Sequence, residues 1–160
     1  LYTYYGEGSV GFYLSSPLSY LGGMNMIVLS NLQQQTLLPG QALTFDLVKL
    51  HSGCGECHRE GSSAVKMRCS GIYELSFHAN IGGTVAGPVQ LALQVGGETL
   101  QETTMISTVT TVGDLNNVGA ETRVRNCCGD YDRVTVVNTG TSDVVVGPNA
   151  ALVIGRRSGS

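Results

Sequence analysis

Two short stretches carry most of the side chains able to do chemistry. Cys54-Gly55-Glu56-Cys57-His58 sets two thiols beside an imidazole, and Cys127-Cys128 adds a vicinal pair. The first stretch fits C-x-x-C-H, the attachment pattern for c-type haem, in which the thiols bond the porphyrin vinyls and the histidine ligates iron. Met67 or His51 would then be the distal ligand. Zinc is a second reading. Cys54, Cys57 and His58, with His51 or with Cys127 and Cys128, supply N and S ligands for a tetrahedral site, although adjacent cysteines fit badly around one ion. Disulfides are the first expectation, joining Cys54 or Cys57 to Cys127 or Cys128, or crossing between subunits, in an oxidising exterior. The chain has five cysteines, an odd number that cannot pair completely within one molecule. Cys69 has inward parity and reads as a small buried hydrophobe. No cofactor is expected, with zinc and haem c kept as the alternatives.

The remaining polar groups suggest no catalysis. His78 falls on the wet face of its strand. Asp130 and Asp132, with Asp114, are candidate calcium ligands, set against a solvated turn or pairing with Arg133. Arg123, Arg125 and Arg133 sit among strands and are expected to meet acids across a subunit interface. Gly8-Ser9-Val10-Gly11 does not satisfy the G-x-S-x-G nucleophile elbow, and there is no phosphate loop.

The elements that position these groups read as strands. In Gly71 to Ile81, Tyr73, Leu75, Phe77, Ala79 and Ile81 share one parity, and Glu74, Ser76, His78 and Asn80 share the other. That period of two marks a strand with one buried and one wet face. Val89, Leu91, Leu93 and Val95 repeat the pattern, and Gly96-Gly97 is a two-residue hairpin turn. Further strands are expected at Met26 to Leu29, Ala42 to Leu50, Val65 to Cys69, Thr122 to Asn126, Arg133 to Val137, Asp143 to Val146 and Ala151 to Ile154. Glu98 to Val112 reads as a long, bent strand. His51 to Ser63, Gly82 to Pro88 and Asp114 to Gly119 read as loops. With no helical period, this spacing argues for an all-β sandwich or barrel.

At 160 residues the chain has room for one domain and an arm. Charged residues are 13 % of the chain, about half the usual share, so part of the surface is expected to be hidden in an assembly. A net charge of -3 gives no footprint for nucleic acid. No apolar run is long enough to span a bilayer as a helix, so no membrane insertion is expected, and no intact signal peptide is visible. Residues 1–23 hold Tyr2, Tyr4, Tyr5, Phe12, Tyr13 and Tyr20 with no Lys or Arg. They are read as an extended arm that docks on a neighbouring subunit, as an added strand. Residues 24–157 are read as the folded domain and 158–160 as a tail.

Gly71-Ile72-Tyr73-Glu74-Leu75-Ser76-Phe77-His78 is followed by Val89 to Glu98, by Cys128-Gly129-Asp130-Tyr131-Asp132-Arg133-Val134-Thr135-Val136, and by Ala151-Leu152-Val153-Ile154. In that order, over about residues 41–156, the chain resembles the C1q/TNF-like jelly roll, in the version found in Firmicutes surface proteins and phage-related proteins. The resemblance implies a jelly-roll β-sandwich with no enzymatic activity, and homotrimers packed through one apolar sheet. The chain has no Gly-X-Y tract. The expected role is a self-associating structural subunit of a surface appendage, spore coat or phage particle, extracellular or on the particle surface. The alternatives are a metal- or haem-carrying extracellular protein using the Cys54 to His58 loop, and a receptor- or glycan-binding head.

Overall fold

The computed structural model describes residues 25–53, 56–127 and 132–157. The strands are β1 (Asn25–Ser30), β2 (Gln35–Leu37), β3 (Leu47–Ser52), β4 (Glu56–His58), β5 (Val65–Met67), β6 (Gly71–Gly83), β7 (Gly87–Val95), β8 (Glu98–Thr99), β9 (Met105–Val109), β10 (Asn116–Asn126), β11 (Arg133–Asn138), β12 (Val144–Val146) and β13 (Ala151–Arg157). They form two antiparallel sheets. One runs β2-β12-β6-β13-β1-β3, with β10 on the other side of β6, and the other runs β9-β7-β11-β5-β4, with β8 beside β7. This is a jelly-roll sandwich, within the sandwich-or-barrel choice the strand spacing left and as the resemblance implied.

β6 is the centre of its sheet because both its edges are paired. β10 follows it from Gly71 to Ile81, β13 from Ile72 to His78, and β12 from Ile81 to Gly83. The parity read from sequence holds: Tyr73, Leu75, Phe77, Ala79 and Ile81 are buried. They meet Leu91, Leu93, Val134 and Val136 of the facing sheet in one core. Burial of this apolar area is the main favourable contribution to folding. The Gly96-Gly97 turn has φ of 61° and 88°, the double positive conformation a two-residue hairpin needs, and it closes β7 onto β8 at Val95↔Glu98.

Several boundaries differ from expectation. Ala42 to Leu50 is not one strand: the chain pairs at Ala42↔Val137, Leu43 N–H donates to Val136 O, and Phe45 N–H donates to Ser62 O. Leu43 and Phe45 are fully buried, so the alternation belongs to a crossover between sheets. His51 to Ser63 is not all loop, because β3 continues to Ser52 and Glu56–His58 is a strand. Glu98 to Val112 breaks after Thr99 into a 3-10 turn, Gln101–Thr103. There the Thr103 hydroxyl accepts from Leu93 N–H and donates to Leu100 O, replacing ladder bonds. β10 starts at Asn116, inside the expected Asp114 to Gly119 loop. Gly82 and Gly83 are paired with Val145 and Val144. The polar Gln33 to Gln35 stretch leads into β2, which sequence reading missed.

Buried amides hold the end of the sandwich where β6 turns into β7, called the upper end below. Asn31 donates to Gln33 O and Gly147 O and accepts from Ala150 N–H. Asn138 donates to Leu37 O and Ser142 O and accepts from Gly140 N–H. Each satisfies several loop groups that would be costly to bury alone.

Candidate functional site

The cysteines and histidines lie toward the other, lower end. Cys54, Cys128 and the arm residues Tyr2, Tyr4, Tyr5, Phe12, Tyr13 and Tyr20 lie outside the described residues. Cys57 is exposed on β4, and Cys127 is exposed just after β10, in the opposite sheet. No disulfide joins them. Cys69 is half-buried rather than buried. It sits in the β5–β6 turn, where the Tyr73 hydroxyl donates to its carbonyl at 2.8 Å and accepts from its N–H at 3.3 Å.

His58 faces inward, beside Cys57 pointing out. Its Nδ1 is 2.9 Å from Ala64 O and its Nε2 is 3.0 Å from Phe45 O. Each ring nitrogen thus faces a backbone carbonyl, of which a neutral imidazole can donate to one at a time, and iron or zinc at His58 would have to displace one of them. His51 Nε2 lies 3.0 Å from Glu56 O, and Met67 is wholly buried in the core. Among the described residues no group of His, Cys, Asp and Glu has metal-binding geometry. Asp114 precedes β10 at the upper end and Asp132 precedes β11 at the lower, so the fold separates these two expected calcium ligands.

Glu56 is the unexpected member of the Cys54 to His58 stretch. It is 2 % exposed and neither carboxylate oxygen has a hydrogen-bond partner. Its position opposite Met67 turns it into the end of the core, toward Tyr73 and Arg156. Burial raises its pKa to about 7, and the Arg156 charge and nearby backbone of Glu56 and Arg156 offset this only in part. Those groups are close enough to act through space but do not reach bonding geometry. Burial first, and then the Glu56 and Cys69 charges, raise the Tyr73 pKa. Arg156 spends its Nε on Ser70 O at 2.8 Å. Sequence reading missed Glu56 because a three-residue strand shows no period.

The two outer faces differ in chemistry. On the β7 sheet the outward residues include Gln90, Gln94, Thr135, Lys66 and Arg133. On the β6 sheet one row runs Leu50, Val28, Val153 and Ser76, and the next runs Met26, Gly155 and Glu74. Met26, Val28, Val153 and Gly155 are only partly exposed within the single chain. Gly155 leaves a shallow depression of ≈ 560 Å³ between Met26, Val153 and Glu74. One ion cluster borders it: Glu74 Oε2 accepts from Arg123 Nε at 2.9 Å and Arg157 Nε at 2.8 Å. Arg157 first, then Arg123, holds the Glu74 pKa down. Arg123, expected to pair across an interface, therefore has an acid within its own chain. His78 is exposed on this face, as its parity implied.

No family model and no curated protein matches the chain. Solved structures do. Murine APRIL aligns at 15 % identity and TM-score 0.63, over 84 % of this chain and 99 % of that one. The globular domain of zebrafish complement 1qA aligns at 12 % and 0.62, over 84 % and 98 %. The PRD1 vertex protein P5 aligns at 11 % and 0.52, over 83 % and 96 %. The neighbours include TNF/C1q-type jelly rolls, and at these identities the likeness establishes the fold. Among the described residues no helix is long and apolar enough to cross a membrane.

Proposed function

We propose that the chain is a non-enzymatic, self-associating jelly-roll subunit of an extracellular or particle-surface assembly, with a homotrimer as its basic unit. The observation that carries this reading is the asymmetry of the two outer faces. The β1, β3 and β13 part of the β6 sheet presents a patch of small and apolar groups, Met26, Val28, Leu50, Val153 and Gly155, bordered by the Glu74 ion cluster, where the other sheet presents mainly Gln, Thr and cations with Ile106 exposed on its edge strand. A sheet face of that kind gains by being covered. The family resemblance supports trimer packing through it, and the neighbours' fold is compatible with such a role. No described constellation offers a nucleophile with a base, which is why catalysis is not part of the proposal.

Sedimentation equilibrium on the full chain tests it. The expected result is a trimer that Val153→Arg reduces to folded monomer, because a buried unpaired charge would be placed at each interface. A monomeric wild type, or an intact trimer with Arg at 153, refutes the reading. The arm has its own test: deletion of residues 1–23 should leave the domain folded and abolish assembly beyond the basic unit. Normal higher assembly by the truncated chain refutes that part alone.

A further inference from the structure

Charge is unevenly placed along the long axis. The upper-end segments are 31–46, 84–86, 110–115, 139–143 and 147–150. They contain no Lys, Arg or His, and their charged residues are Asp46, Asp114 and Asp143, while the β4–β5 turn that points the same way adds Arg59 and Glu60, one charge of each sign. The same end holds most of the large apolar side chains left in water. Leu32, Leu38, Val85 and Val112 are 56–57 % exposed, and Leu115 is 38 % exposed. Val112 and Leu115 line an open cleft of ≈ 350 Å³ with Thr36, Thr84 and Val145.

The lower end is the reverse. Arg68 lies in the β5–β6 turn, and Lys66 and Arg133 stand directly opposite each other on β5 and β11. Like charges in that position repel. Among the described residues neither makes an ion pair. Arg125, Arg156 and Arg157 sit at the same level of the other sheet. The acids nearby are Glu98, Asp132, Glu74, already held by two arginines, and buried Glu56.

We infer that the upper end of one copy seats on the lower end of the next, so that units stack head to tail. The occupant of the acidic, apolar-rimmed upper end is a second copy of this chain, chosen by charge complementarity: Asp46, Asp114 and Asp143 meet Arg68, Lys66 and Arg133. A contact between two different patches does not close on itself unless the rotation happens to, and an open contact of that kind builds a filament. The inference rests on the self-association reading but not on the trimer, since the ends are distinct from the sheet face.

The test uses two full-length variants, each checked for native circular dichroism. Val85→Lys with Val112→Lys blocks the upper end at exposed positions. Arg68→Glu with Arg133→Glu blocks the lower. Light scattering and electron microscopy should show wild-type filaments that shorten as salt rises, because exposed charges are screened. Each variant alone should stop at the basic unit, with end-to-end association weakened by about tenfold or more. Mixed, the free lower end of one and the free upper end of the other should give paired units and nothing longer. Wild type confined to the basic unit, either variant forming normal filaments, or a mixture that does not pair, overturns the stacking. The mass of the basic unit in the same runs reports on the trimer separately.

Discussion

Replacing Glu56 by Gln should remove a pH dependence of stability that this one carboxyl creates. Glu56 is 2 % exposed with both oxygens unbonded, and burial lifts its pKa from 4.5 to about 7. Below pH 4.5 the group is protonated in folded and unfolded chains alike and has no effect. Between 4.5 and about 7 the folded chain retains a proton that the unfolded chain has released, so stability falls as pH rises. Above about 7 both states are ionised and the full loss persists. At 1.36 kcal/mol per pH unit, the interval costs about 3 kcal/mol, a large share of the stability of a small domain. Gln keeps the shape and cannot ionise. Urea unfolding of wild type and Glu56→Gln, at fixed protein concentration and ionic strength, should give curves within about 1 kcal/mol of each other at pH 5. They should separate by about 3 kcal/mol in favour of the variant at pH 8, on the order of 10 °C in Tm. All other titrating groups cancel in the difference. A separation that does not change with pH refutes the reasoning, as does a variant less stable than wild type at pH 8.

Three further changes probe the rest of the structure. Glu74→Gln should cost stability above the unfolded carboxylate range, where the charge is paired. That difference should vanish as pH falls through the lowered folded value and shrink in high salt; a difference independent of pH down to pH 2 refutes the pairing. His58→Ala removes a ring that faces Ala64 O and Phe45 O, which keep Ser62 Oγ and Gly61 N–H as donors, and should lower the urea-derived stability by about 0.5–1.5 kcal/mol, so an unchanged midpoint would show that these contacts contribute nothing. Gly53 and Gly40 have nearly the same φ, 84° and 85°, but a Cβ at 53 would collide with the Asn25 side chain while one at 40 meets nothing. Gly40→Ala should therefore cost about 1–2 kcal/mol from the left-handed backbone alone, and Gly53→Ala clearly more; equal losses in thermal unfolding would rule out the Asn25 contact.

What was legible in the sequence was what repeats. Tyr73 to Ile81 and Val89 to Val95 are long enough for alternation to declare the inward face, and Gly96-Gly97 names its own turn. Where pairing is short or the chain changes sheets, period carries no such information. Leu43 and Phe45 alternate like a strand yet bond to Val136 and Ser62 at the edge of the β7 sheet before the chain crosses to β3. Glu56 sits in a Gly-, Ser- and Cys-rich stretch whose composition says loop, and only its pairing opposite Met67 turns it inward. Thr103 looks like one more β-branched residue, but its hydroxyl makes two bonds that end the strand. The cysteine motif drew notice for its thiols, whereas the described part of it is most unusual at the glutamate between them.

Charge is scarce in this chain, and for that reason its placement carries information once the topology is known. Asp46, Asp114 and Asp143 are far apart in sequence and come from different loops, yet β6 and its neighbours bring all three loops to one end. Lys66 and Arg133 are equally distant in sequence, and antiparallel pairing sets them face to face. Like charges set opposite each other on adjacent strands oppose pairing, so Lys66 and Arg133 destabilise the isolated chain at that position. Under the stacking inferred above, the repulsion between Lys66 and Arg133 would be relieved where the two ends meet opposite charge. The regular strands therefore set which surfaces exist, and the irregular ends set which of them the inferred stacking would use.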